Sequence, residues 1–218
     1  MDAQRRLADQ RRATLERWSR HLLALGGDAA LPDVPPTWAI RPTRVAADVT
    51  GGPCGQGDHD VRLWRGMERA ENSGASAADL ARAAAIDLDA EGPLWSSSAW
   101  SAIEVWTEAE LCGLHGLWRL ASRRGPAPAV ERRLAAAIAW HLDHTQPDNA
   151  TNRPWAAHVF LDHALDSRRD AERAGAARLY AETLVHNAQA QGLADPASRW
   201  ILVDAGRELA RLAATSAG

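Results

Sequence analysis

Chemistry is most concentrated in one stretch of the chain, His144-Thr-Gln-Pro-Asp148-Asn149-Ala-Thr-Asn152-Arg153-Pro-Trp155. A carboxylate and an imidazole held near a ligand can exchange its protons, amides can position it, and a guanidinium can hold an anionic group. In the functional reading, Glu104 or Asp148 is the acid/base group and His144 or His186 its proton partner. Asn149, Asn152 and Asn187 position the ligand, Arg153 contacts an anion, and Trp100, Trp106 and Trp155 form apolar walls. The same residues have a plainer reading. Pro147 and Asp148 make a turn, Asn152 caps a helix that starts at Pro154, and the tryptophans pack.

A second constellation is metal-like. Glu182-Thr-Leu-Val-His186 places a carboxylate and an imidazole four apart on one helical face, and His141-Leu-Asp-His144 places two imidazoles three apart. Helix bundles hold ions with inward-facing Glu and His, but this spacing is weakly specific, so no metal is assigned. His141 also continues the apolar stripe of Leu134 and Ile138, which suits a hydrogen-bonded core histidine. His115 and His163 lie among apolar residues and read as interior histidines. Cys54, in Gly51-Gly-Pro-Cys-Gly-Gln-Gly, is either an exposed thiol beside His59 or part of a glycine-rich loop. Ten tryptophans stand beside one Phe and one Tyr. Flat indole faces suit sugars, yet Trp18, Trp64 and Trp118 fall at helical core positions, where packing explains them.

Several chemistries are excluded outright. All 25 basic residues are arginine, and a Schiff-base enzyme, a Walker-A loop and a protein kinase each need a lysine. Neither GxSxG nor HExxH occurs, and no cofactor is specified. With net charge −3, attraction to nucleic-acid backbones is weak, so no nucleic-acid partner is expected. Arg5, Arg6, Arg11, Arg12, Arg17 and Arg20 cluster near the start, where Asp2, Asp9 and Glu16 offset them; the pattern reads as a solvated helix face. The composition is that of a soluble globular protein with no membrane partner. Two cysteines without a CxxC fit a reducing, cytoplasmic location.

The elements that must position these residues are helical. The spacing predicts a helix from Asp2 to Leu25 stopped by Gly26-Gly27, then a long irregular loop over residues 28–57. Asp58 and Ser76 open short helices, the latter through a Ser76-Ala-Ala-Asp79 capping box. Residues 94–106 give no clear period. Thr107-Glu-Ala-Glu110 also has the capping-box pattern and predicts a helix start, followed by helices over about 128–144, 154–165, 170–190 and from Asp195-Pro196 onward. The expected fold is all-α, with about seven to nine helices in antiparallel pairs, as a hairpin bundle or short solenoid. It is expected as one domain over 1–218, with a loop-rich part (1–106) and a regular part (107–218). Alternating helices would gather 94–106, 145–153 and 188–195 at one pole. The function expected is binding of a small polar ligand there, with acid/base turnover as its enzymatic form; a noncatalytic interaction module and a metal-binding bundle are the alternatives. Oligomeric state is not encoded legibly.

Overall fold

The computed structural model describes residues 2–27, 59–70, 74–100, 102–124, 127–147, 151–166, 170–191, 193 and 195–215. The expected loop over 28–57, with Cys54 and Asp58, lies outside them. Among the described residues there are eight α-helices, one 3-10 turn and no strand. The helices are α1 (Asp2–Gly26), α2 (His59–Ala70), α3 (Ala77–Ala83), α4 (Ile103–Arg123), α5 (Pro128–His144), α6 (Ala157–Ala164), α7 (Ala171–Ala190) and α8 (Pro196–Thr215), with the 3-10 turn at Ser97–Ala99. None of them is long and apolar enough to cross a membrane. They divide into two compact units, residues 1–33 with 152–218, and residues 34–151.

In the first unit, α1 lies antiparallel on α8, and α6 lies on α7. Leu15, Ser19, Leu22 and Gly26 form the buried stripe of α1, at helical spacing. Two glycines set how close the helices come. A Cβ on Gly26 would sit 2.5 Å from Val203 Cγ2 and 2.9 Å from the Arg199 carbonyl oxygen; one on Gly206 would sit 2.8 Å from Leu23 Cγ. Arg199 Nε then donates to the Gly26 carbonyl, 3.1 Å away, satisfying an end-of-helix acceptor of α1. Short connections predict that consecutive helices pair. That holds for α6 with α7, whereas α8 packs chiefly on α1 and also touches α6. Phe160 and Tyr180 stack at 4.2 Å between α6 and α7, and Trp155 lies fully buried 6.2 Å from Trp200.

In the second unit α4 is central. From Trp106 to Leu120 every residue except Glu108 is buried, because α2, α3 and α5 all pack around it. The Ser76–Asp79 capping box forms as its sequence predicts and starts α3. The Thr107–Glu110 pattern does not start a helix. α4 begins a turn earlier, at Ile103, the Thr107 hydroxyl donates back to the Ile103 carbonyl at 2.9 Å, and Glu110 turns into the core. The aperiodic 94–106 stretch holds the 3-10 turn, capped by Ser96.

Candidate functional site

The residues singled out for chemistry fall in both units. In the second unit, Trp106 is buried and its ring stacks on His141, 6.3 Å between centroids, and meets Trp140 edge-on at 5.7 Å. Trp140 in turn stacks on His144 at 4.7 Å, so Trp106 and His144 belong to one aromatic ladder joining the start of α4 to the end of α5. His144 Nδ1 lies 2.9 Å from the Trp140 carbonyl, an acceptor, so this nitrogen donates and Nε2 is the other ring nitrogen. Glu104 is exposed in the first turn of α4, and Trp100, half-buried, ends the 3-10 turn. Asp148 and Asn149 lie outside the described residues.

Beneath this ladder is a polar cluster that periodicity does not announce. Glu110, fully buried, accepts from the Leu94 amide at 2.7 Å and the Trp95 amide at 2.5 Å. Arg133, also buried, donates to the Gly92 carbonyl at 2.8 Å and to the Pro93 carbonyl. Four consecutive residues without regular secondary structure are thereby held inside the unit by one carboxylate and one guanidinium. Burial pushes the Arg133 guanidinium below its ordinary range, while Glu110 and Asp87 pull the other way. His141 lies 3.4 Å from Glu110 and 3.1 Å from the Thr145 hydroxyl, which makes it the hydrogen-bonded core histidine of the plainer reading.

In the first unit, Asn152 is exposed and Trp155 is core. Arg153 Nε donates to Asp195 at 3.2 Å, tying residue 153 to the start of α8 within this unit. Asp195 caps α8 by accepting from the amides of Ala197 and Ser198, both at 3.1 Å, and from the Ser198 hydroxyl at 2.9 Å. Burial alone would raise its carboxyl. The Ser198 hydroxyl, Arg153 and the two amides together outweigh burial and hold it below the ordinary carboxylate range. A depressed folded-state pKa contributes stability above the unfolded value, about 3.9, and loses it as pH falls through the folded value. Asp195→Ala is therefore expected to cost about 0.5–2 kcal/mol near pH 7. In urea melts the gap from wild type should narrow below about pH 4; a gap independent of pH would contradict the assignment. His186 is exposed near the end of α7, and the Asn187 carbonyl accepts from the Gln191 amide at 3.0 Å.

Glu182 pairs with Arg178 at 2.7 Å. Among the described residues no three His, Cys, Asp or Glu side chains are grouped to hold an ion.

The first unit also contains a groove of about 750 Å³, bounded by α1, α6 and α7. From α1 come Gln10, Ala13, Thr14, Arg17 and Arg20, a single stripe distinct from the one that faces α8, together with Trp18. Leu161 and Ala164 of α6, with Leu165 just after its end, form an apolar floor, and Ala174, Gly175 and Arg178 of α7 close the other side. Trp18, expected in the core, is half-buried on this groove. Among the described residues, three arginines and no acidic residue line it. Each was individually indistinguishable from a solvated surface residue, and only the pairing of α1 with α6 and α7 brings them together. No family model matches the chain, and no curated protein or solved structure is significantly similar to it.

Proposed function

We propose that this is a cytoplasmic binding protein for a small polar ligand, and that the groove of the first unit is where the ligand sits. The observation that carries this reading is the cavity's size and lining. About 750 Å³ lies within the range of small-molecule sites, roughly 300–1,000 Å³, and such sites combine apolar walls with a few polar groups. Gly175 supports it further. It is exposed inside α7, and a Cβ there would meet nothing within 4 Å, so packing does not require a glycine. Gly175→Ala should accordingly raise stability by about 0.5–1 kcal/mol through helix propensity alone, measurable in urea melts. A destabilised variant would contradict this account of the site.

The direct test is thermal-shift screening of a mixed panel of neutral, cationic and anionic metabolites against wild type and Gly175→Trp, whose indole fills the open space. At least one compound should raise the wild-type midpoint by several degrees at saturating concentration and leave the variant unmoved. A panel that shifts neither protein, or both alike, overturns the reading.

A second reading keeps acid/base turnover at the 145–153 stretch. It is favoured by the His144 Nδ1 hydrogen bond to the Trp140 carbonyl, which orients the ring and leaves Nε2 as the nitrogen that could take a substrate proton. Glu104 and Asp148 are its carboxylates, with Asn149 as positioning group. On this reading His144→Gln removes turnover of any substrate found, with little change in melting temperature; retained turnover sinks it.

A further inference from the structure

The geometry points to an amphipathic organic anion as the ligand of this groove: an apolar body against Trp18, Leu161 and Leu165, and a carboxylate, sulfonate or phosphate head among Arg17, Arg20 and Arg178. The inference rests on the small-ligand reading above and adds the chemical class.

Arg17 and Arg20 project from α1 one turn apart, and Arg178 comes from α7 on the opposite side. Arg17 has no ion pair among the described residues. Arg20 uses Nε on the Glu16 carbonyl at 3.3 Å, and Arg178 uses Nε on Glu182 at 2.7 Å, so both terminal nitrogens of each are left for another acceptor. Asp162, beside Leu161, pairs with Arg11 at 2.5 Å, and Glu182 offsets the charge of Arg178 from outside the lining, so the uncompensated charge is that of Arg17 and Arg20. Three arginines on a groove with no acid among its described lining residues, only one of them paired with a carboxylate, favour a negative ligand. Their planar forks suit an oxyanion with two or three equivalent oxygens.

An inorganic anion would fill a small part of about 750 Å³ and leave the part-exposed Leu165 and the Trp18 face wet. A neutral hydrocarbon would cover those surfaces but add no counter-charge for Arg17 and Arg20. A ligand with both parts satisfies both walls, and the missing side chain at Gly175 gives it room.

The experiment uses the full chain and two fluorescent probes of nearly the same shape, 8-anilinonaphthalene-1-sulfonate and the uncharged N-phenyl-1-naphthylamine. The sulfonate probe should bind about tenfold or more tightly, because charge-assisted hydrogen bonds to arginine add to a shared apolar contact. Arg17→Gln and Arg178→Gln should each weaken the sulfonate probe about threefold to tenfold and leave the neutral one unchanged. Raising salt should weaken only the sulfonate probe. Gly175→Trp should remove both. Displacement of the sulfonate probe by laurate would identify an acyl-chain ligand and displacement by AMP a nucleotide; displacement by neither overturns the anion class. Equal affinity for the two probes, with the arginine variants silent, also overturns the anion class while the small-ligand reading stands. Failure of both probes to bind wild type, or undiminished binding to Gly175→Trp, overturns both.

Discussion

Glu110→Ala is expected to destabilise the second unit by about 3–5 kcal/mol, the usual cost of removing one partner from a buried charged network. The carboxylate accepts from two amides and lies within hydrogen-bond reach of His141, all in the interior. Without it the Leu94 and Trp95 amides lose their acceptor, and the buried Arg133 guanidinium loses the negative charge that opposes its desolvation. Glu110→Gln should fall between, since an amide offers one accepting oxygen where two are required. Urea denaturation gives the size of the loss, and amide hydrogen exchange gives its location, as fast exchange at Leu94 and Trp95. A loss below 1 kcal/mol, or exchange unchanged at those amides, would contradict the clamp.

The second large effect is expected at the contact of α1 with α8. Gly206→Leu places its Cβ 2.8 Å from Leu23 Cγ and 3.1 Å from the Ser19 carbonyl oxygen. The leucine can rotate away, but the carbonyl belongs to helix backbone and moves only if the helices separate. Overpacking of this kind costs about 1–3 kcal/mol, and more where backbone must shift. Gly26→Ala meets the same limit at the Arg199 carbonyl, and because both sites set one helix spacing, the double variant should deviate from additivity. An unchanged melting temperature in Gly206→Leu would mean that the helices are not held this closely. Gly175→Ala should move stability the opposite way.

Local chemistry was legible in the sequence wherever a residue acts on its own neighbourhood. Ser76 with Asp79, Asp195 before Pro196, and Pro128 at the first turn of α5 each mark a helix start by satisfying or sparing nearby amides. Thr107 with Glu110 carries the same pattern and fails. Glu110 is drawn instead to the backbone of residues 94 and 95, and no local rule records the arrival of a distant segment. The pairing of α1 with α8 was hidden for the same reason. Of its signals, Gly26 reads as a helix stop and Gly206 goes unmarked until the two are seen facing side chains across the pair. Among the candidate residues, Trp106 and His144 do share one aromatic ladder. The groove went unseen because Arg17 and Arg20 look solvated without α7, and Arg178 looks solvated without α1.

The α1 and α8 pair also fixes an order of events during synthesis. Gly26 and Arg199, which meet across it, are separated by 173 positions, and residues 34–151 of the other unit are translated in between. At bacterial or eukaryotic elongation rates of about 5–20 residues per second, α1 waits roughly ten to thirty seconds for its partner. The stripe of Leu15 and Leu22 has no α8 to cover it for that interval, whereas the second unit has all its helices well before α8 emerges. The nascent chain is therefore expected to be most vulnerable to aggregation, and most dependent on chaperone holding, through its first helix.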